Sequence, residues 1–227
     1  YNGIMLGHSF NFSHENPGAL ALFFQDYNGA VTRDGGETWA YYDVSGKGWG
    51  GYNYGGFTPD GRTIYGGDAE SWGSPRRLRI SYDAGRTWAN ANDEAGETIV
   101  FTGPDVSYAD PRERGVLFAS NWRSADRGRT WRELEGCDAV YTSSPTGGRE
   151  LYGRAVGGGG VVRSDDHGET WRKVADVPGG NVSDIAYDHE RNRLYAVSEN
   201  RLKVLAGGAW TTIETPRDQR GNTRMVS

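Results

Sequence analysis

Apolar residues fall in short runs along the chain, and many runs alternate with polar positions. Val182 to Tyr187, Leu194 to Val197, Leu202 to Leu205 and Thr211 to Glu214 are one such series. Each run is bounded by Gly, Pro, Asn or Asp, as at Asp188 to Asn192. Alternation of period two between turn-forming clusters predicts β-strands. No stretch sustains the 3.6-residue period of an amphipathic helix, so the chain reads as all-β. The same succession of run, turn, run recurs upstream. Ala139 to Ser143, Leu151 to Arg154 and Val161 to Ser164 form one group, and Val106 to Ala109, Val116 to Ser120 and Trp122 to Ser124 another. Tyr52 to Phe57, Thr63 to Gly67 and Arg77 to Tyr82 form a third, and Leu20 to Gln25 follows the turn Asn16-Pro17-Gly18 in the first.

Each group runs into the same eight-residue pattern, Ser/Thr-x-Asp-x-Gly-x-Thr-Trp. Its copies are Thr32 to Trp39, Ser81 to Trp88, Ser124 to Trp131 and Ser164 to Trp171. The aspartate (Asp34, Asp83, Asp126, Asp166) suits acceptance of backbone N–H bonds within its own turn. The glycine two residues on permits the positive φ of a tight hairpin. The hydroxyl two residues before the aspartate can bond the same turn. The tryptophan (Trp39, Trp88, Trp131, Trp171) opens the next strand with a large face to bury. A degenerate fifth copy, Gly207-Gly208-Ala209-Trp210, lacks the aspartate. Successive tryptophans lie 49, 43, 40 and 39 residues apart, near the length of one four-stranded propeller blade.

This pattern resembles the Asp-box, or bacterial neuraminidase repeat, and the surroundings of its copies cover nearly the whole chain. The resemblance implies a β-propeller of four-stranded antiparallel blades. It places the hairpins at the outer rim, away from the central cavity, and gives their aspartates a structural role. About five blades are expected, at 1–45, 46–93, 94–136, 137–177 and 178–215, with 216–227 starting another. A blade buries its faces only against neighbours. The expectation is therefore a propeller of six to eight blades, completed by sequence outside this chain or by another chain. The rival is a closed ring in which the last strand completes the first blade.

Composition narrows the function classes. The 35 glycines among 227 residues show no three-residue period, which excludes collagen, and suit many strands joined by tight turns. Net charge is −5 with both signs interspersed, and no basic run supports nucleic-acid binding. No apolar run reaches the roughly 20 residues of a membrane-spanning helix. The single cysteine, Cys137, has no internal disulfide partner, and no Cys/His cluster has zinc spacing. Cys137 reads as a small buried residue. No cofactor is indicated. The chain begins at Tyr1, which reads as a processed or excised segment, so a missing signal peptide says nothing about secretion. The family points to an extracellular, cell-surface or virion-associated setting.

In propellers of this kind, ligands are met near the axis on the face opposite the boxes, where second and third strands are joined and blades are linked. The resemblance thus selects three segments: Gln25 to Gly29, with Asp26 and Tyr27; the link Gly46 to Tyr54, with Trp49 and Tyr54; and the loop Asp68 to Arg77, with Asp68, Glu70, Trp72, Arg76 and Arg77. Aromatic faces stack on sugar C–H surfaces while polar groups take the hydroxyls. Packing between blades is the competing role for Trp49 and Trp72. His8 and His14 frame the first strand without a third partner at metal spacing. His167 and His189 sit in turns and are expected to be exposed.

Three related groups define the functional alternatives. Sialidases also carry an N-terminal Phe/Tyr-Arg-Ile-Pro motif, which this sequence lacks. Xyloglucan endoglucanases are similar in their boxes, and their catalytic Asp-x-x-Gly segment looks like Asp26-Tyr27-Asn28-Gly29. Glycoside hydrolysis uses two carboxyl groups, and Asp68 or Glu70 is the candidate partner of Asp26. Non-enzymatic relatives include sorting receptors, photosystem assembly factors and phage-tail or secreted repeat proteins. The favoured reading is a recognition propeller for a glycan or a protein partner. The alternatives are a glycoside hydrolase and a structural module of a larger assembly.

Overall fold

Turn chemistry and alternation divide the chain into meanders, and the computed structural model bears this out. It describes residues 7–13, 15–24, 28–44, 54–58, 60–68, 75–101, 107–143 and 150–214. The first sheet comprises β1 (Gly7–Phe12), β2 (Leu20–Phe24), β3 (Gly29–Thr32) and β4 (Ala40–Tyr42). The second contains β5 (Tyr54–Phe57), β6 (Ile64–Asp68), β7 (Arg76–Ser81), β8 (Ala89–Asn90) and β9 (Val100–Phe101). The third has β10 (Ser107–Ala109), β11 (Leu117–Ala119), β12 (Trp122–Ser124) and β13 (Arg132–Glu133). The fourth has β14 (Cys137–Ser143), β15 (Leu151–Ala155), β16 (Gly160–Ser164) and β17 (Arg172–Asp176). The fifth has β18 (Val182–Asp188), β19 (Arg193–Ser198), β20 (Arg201–Ala206) and β21 (Ala209–Ile213). Apart from β9, the strands of each sheet follow one another in sequence order, and the strands pair antiparallel. No helix occurs among the described residues, and none is long and apolar enough to cross a membrane.

The chain divides into two compact units, residues 1–133 with three sheets and 134–227 with two. In the first unit the first strands of successive sheets, β1, β5 and β10, lie side by side; β14 and β18 do the same in the second. Strand order then puts the third-to-fourth-strand hairpin at the opposite edge of each sheet. Meander topology also sends that hairpin to the same end as the first-to-second-strand turn. Backbone bonds tie the two together: Gly35 N–H to Gly18 O, Ala84 N–H to Arg62 O and Arg127 N–H to Gly115 O. The second-to-third-strand loops lie at the other end.

Sheets are joined by their buried faces. Ala21, Phe23, Val31 and Tyr42 of the first sheet pack with Ile64 and Trp88 of the second. Tyr65, Leu78 and Ile80 of the second pack with Leu117, Ala119 and Trp131 of the third. In the second unit Tyr152, Val161 and Val177 meet Val182, Ile185, Leu194 and Ala196, with Trp210 against them. Trp88 and Trp131 therefore cover the sheet that precedes their own. Trp88 lies 5.4 Å from Tyr42, and Trp131 lies 5.7 Å from Tyr65, ring centre to ring centre.

One strand was not foreseen. Val100–Phe101, expected in the third repeat, pairs instead with Arg76–Arg77 of β7. An excursion made by Asn92↔Thr98 pairing and a turn on Asp93 brings the chain back. β8 pairs only with Arg79 and Ile80, so the other end of that β7 edge is open to β9. An unpaired edge is a template for a strand.

Candidate functional site

The four hairpins share one hydrogen-bond plan. In the third, Ser124 Oγ donates to Asp126 Oδ1 at 2.8 Å and accepts the Gly128 N–H at 2.8 Å. Asp126 also accepts the Thr130 N–H at 2.9 Å and the Thr130 hydroxyl at 2.8 Å. The Trp131 indole donates to Gly128 O at 3.0 Å. Asp34, Asp83 and Asp166 occupy the same hub in their own hairpins. The indoles of Trp39 and Trp88 repeat the bond to the glycine carbonyl, whereas the buried Trp171 Nε1 has no partner among the described residues. The glycines have φ of +100°, +86°, +82° and +81°. The preceding residue, Gly35, Ala84, Arg127 or His167, is also left-handed. That second left-handed position is invisible in the pattern, because it accepts four different residue types.

These bonds hold the aspartates ionised. Thr38 hydroxyl and N–H bonds keep Asp34 well below the ordinary carboxylate value. The Thr87 N–H leads in bringing Asp83 down to about 2. Burial works against Asp126 and Asp166, but hydrogen bonds from Thr130 and Thr170 outweigh it, leaving Asp126 lowered and Asp166 at about 2. A depressed folded-state value means the unfolded state binds protons first, so stability declines as pH falls. Thermal unfolding should therefore change little from neutrality to about pH 5, then fall steeply between about pH 4 and 2, starting near the ordinary aspartate value. Circular dichroism melts across that range test this, and Asp→Asn substitution in the hairpins should flatten the dependence. No trio of His, Cys, Asp or Glu is gathered as metal ligands would be among the described residues. The hairpins are fasteners.

At the opposite end of the second sheet the register places Asp68 directly across from Arg77. Arg76 is next along β7, opposite Phe101. Asp68 is buried, at 7% exposure, while Arg77 is exposed and Arg76 half-buried. Three of the expected site residues thus meet at the base of the loop that follows β6. Tyr54 lies in β5, next to β6 in the same sheet. Asp26, Tyr27, Trp49, Glu70 and Trp72 lie outside the described residues, as does His14.

Gly29 has a role that its motif does not reveal. The Tyr42 hydroxyl donates to Leu22 O at 2.8 Å. A Cβ on Gly29 would lie 2.1 Å from that hydroxyl oxygen and 2.2 Å from that carbonyl oxygen. Packing alone requires glycine at the end of Asp26-Tyr27-Asn28-Gly29. Asn28 is also committed to structure: it is buried, its Oδ1 accepts the Val44 N–H at 3.0 Å, and its amide donates to Tyr41.

Cys137 is buried, and burial pushes its thiol up, in keeping with the expected inert role. His167 and His189 are half-buried, not exposed as expected. Sequence reading did not single out a 560 Å³ cleft in the second unit, lined by Tyr152, Arg163, Arg172, Lys173, Tyr187 and Asn192 among others. Its only trace in the sequence is the degenerate fifth repeat.

The BNR/Asp-box repeat model matches residues 162–173, and the structure repeats that hairpin at the three other copies. Comparison with curated proteins gives no match. Solved structures share the fold at low identity. YCF48 from Cyanidioschyzon merolae is 13% identical with a TM-score of 0.56, over 95% of this chain and 74% of that one. YCF48 bound to a D1 peptide is 15% identical with a TM-score of 0.53, over 92% of this chain and 67% of that one. An ancestral GH74 enzyme is 14% identical with a TM-score of 0.56, over 95% of this chain but 32% of the enzyme.

Proposed function

We propose that this chain, an array of BNR/Asp-box hairpins on β-propeller sheets, is a recognition module that binds a partner at the end opposite the hairpins. The observation that carries the reading is the buried Asp68 set against Arg77, with Arg76 beside it, beneath the loop after β6. Asp68 pairs in register with Arg77, so its carboxylate is placed to orient that guanidinium, and Arg is suited to planar carboxylate and amide recognition. Asp26, Tyr27, Trp49, Tyr54, Glu70 and Trp72 extend the proposed surface. A polypeptide partner is favoured, since a structure of similar fold, YCF48, is bound to a D1 peptide. A glycan is the second class, and a further chain that completes the propeller is also proposed as a partner.

The test pans a random peptide library and a glycan array against the chain. Binding should fall at least tenfold in Arg76→Ala/Arg77→Ala and in Trp72→Ala. Selected ligands that bind these variants unchanged would overturn the reading.

A glycoside hydrolase is the second reading, favoured by one observation: Asp68, at the end of β6, is a buried carboxyl group. It predicts release of reducing ends from xyloglucan, lost in Asp26→Asn and Asp68→Asn. Its weakness is that Gly29 and Asn28, half of the motif, are accounted for by packing.

A further inference from the structure

We propose that the cleft between the fourth and fifth sheets is a binding site for a small acidic saccharide, created by loss of the fifth Asp-box turn. Register makes the comparison direct. Leu117 pairs with Ser124 in the third sheet, and Leu194 pairs with Leu205 in the fifth. Leu205 in turn pairs with Trp210. Leu205 therefore stands where the box serine stands, and Trp210 keeps the tryptophan place. Between them the box turn is replaced by Gly207-Gly208, with φ of +59° and +84°.

That exchange opens space. In the second and third hairpins the box glycine presses on the preceding sheet: a Cβ on Gly85 would lie 2.9 Å from Tyr42 Cβ, and one on Gly128 would lie 2.2 Å from Ile80 Cδ1. A Cβ on Gly207 or Gly208 would meet nothing within 4 Å. Trp210 lacks the glycine-carbonyl acceptor that Trp39, Trp88 and Trp131 use, and, like that of Trp171, its buried Nε1 has no partner among the described residues. The cleft of 560 Å³ lies at this vacated position, within the roughly 300–1,000 Å³ of small-molecule sites.

Its lining fixes the ligand class. Tyr152 and Tyr187 stack at 4.6 Å and present a shared aromatic edge. Val174, 40% exposed on the edge strand, adds an apolar patch. Arg163 is held by Glu150 at 3.0 Å and Asp165 at 2.6 Å, so it contributes a fixed donor. Arg172 and Lys173 are different. Among the described residues each makes one ion pair, with Asp165 at 2.6 Å and Asp176 at 2.5 Å, and their side chains are 64% and 56% exposed. Exposed pairs of this kind contribute little, so a ligand carboxylate can displace them. Neighbouring cations and carboxylates offer donors and acceptors together, which hydroxyl groups satisfy at once. Apolar edge, paired polar groups and two releasable cations together describe a carboxylated sugar.

The test is titration calorimetry of the full chain with digalacturonate, with neutral lactose, and with a tetraglutamate peptide. Digalacturonate should bind at least tenfold more tightly than either. Arg172→Gln/Lys173→Gln should weaken it at least tenfold with an unchanged melting temperature. Replacing residues 206–209 with the third box turn, residues 125–130, should abolish binding by refilling the cleft. Arg76→Ala/Arg77→Ala should bind digalacturonate normally, which separates this site from the one at the other end. No saturable digalacturonate binding, tighter tetraglutamate binding, or unchanged affinity in Arg172→Gln/Lys173→Gln would overturn the proposal.

Discussion

Trp131→Ala should destabilise the first unit by about 3–5 kcal/mol, the usual cost of emptying a large buried aromatic site. Trp131 is 1% exposed and fills the gap between second and third sheets against Tyr65, Leu78 and Ile80. Its indole N–H bond to Gly128 O would be lost with it. Trp39 has the same motif, the same glycine bond and 42% exposure. Trp39→Ala should cost about 1 kcal/mol or less, as surface substitutions generally do. Urea unfolding of both variants measures the difference. Equal losses would mean that the hairpins stabilise their own turns only, and that covering the preceding sheet contributes nothing.

Gly29→Ala should be comparably damaging, at about 2–6 kcal/mol. The added methyl group has to displace Tyr42 or the Leu22 carbonyl, and Tyr42 is itself buried and bonded to that carbonyl. Overpacking costs about 1–3 kcal/mol, and a buried hydroxyl separated from its acceptor costs about 1–3 kcal/mol more. A Gly29→Ala protein with unchanged melting but lost ligand binding would return the glycine to a functional role.

Those two residues mark where sequence reading succeeds and where it stops. The hairpins were legible because turn chemistry is local. An aspartate, a hydroxyl and a glycine at fixed offsets satisfy one another within eight residues, whatever surrounds them. Strand positions followed from the same punctuation. Burial of the tryptophans was not legible, since Trp39 and Trp131 differ only in whether another sheet lies beneath them. The packing of Gly29 was not legible for a similar reason: Tyr42, thirteen residues away, crowds its Cα. β9 escaped notice because Val100-Phe101 carries strand character but nothing local says which edge it joins. Of the candidate site, the register joined Asp68 to Arg77, a contact that loop composition suggested only as a neighbourhood. The cleft near Gly207-Gly208 was recorded in the sequence as a missing aspartate, and its meaning lay in what that aspartate's turn would have filled.

Because the first and second sheets are roofed by the tryptophan of the repeat that follows each, the unit of inheritance there is offset from the visible repeat. A shortened version of this protein cut at a repeat boundary would leave the last sheet bare. One ending just beyond the next tryptophan, after Trp88 or Trp131, keeps that sheet covered. Shuffling or recombination among such repeats would carry cores intact only when the crossover falls after the indole, and donors swapped at the apparent seams would inherit a neighbour's ceiling of the wrong shape.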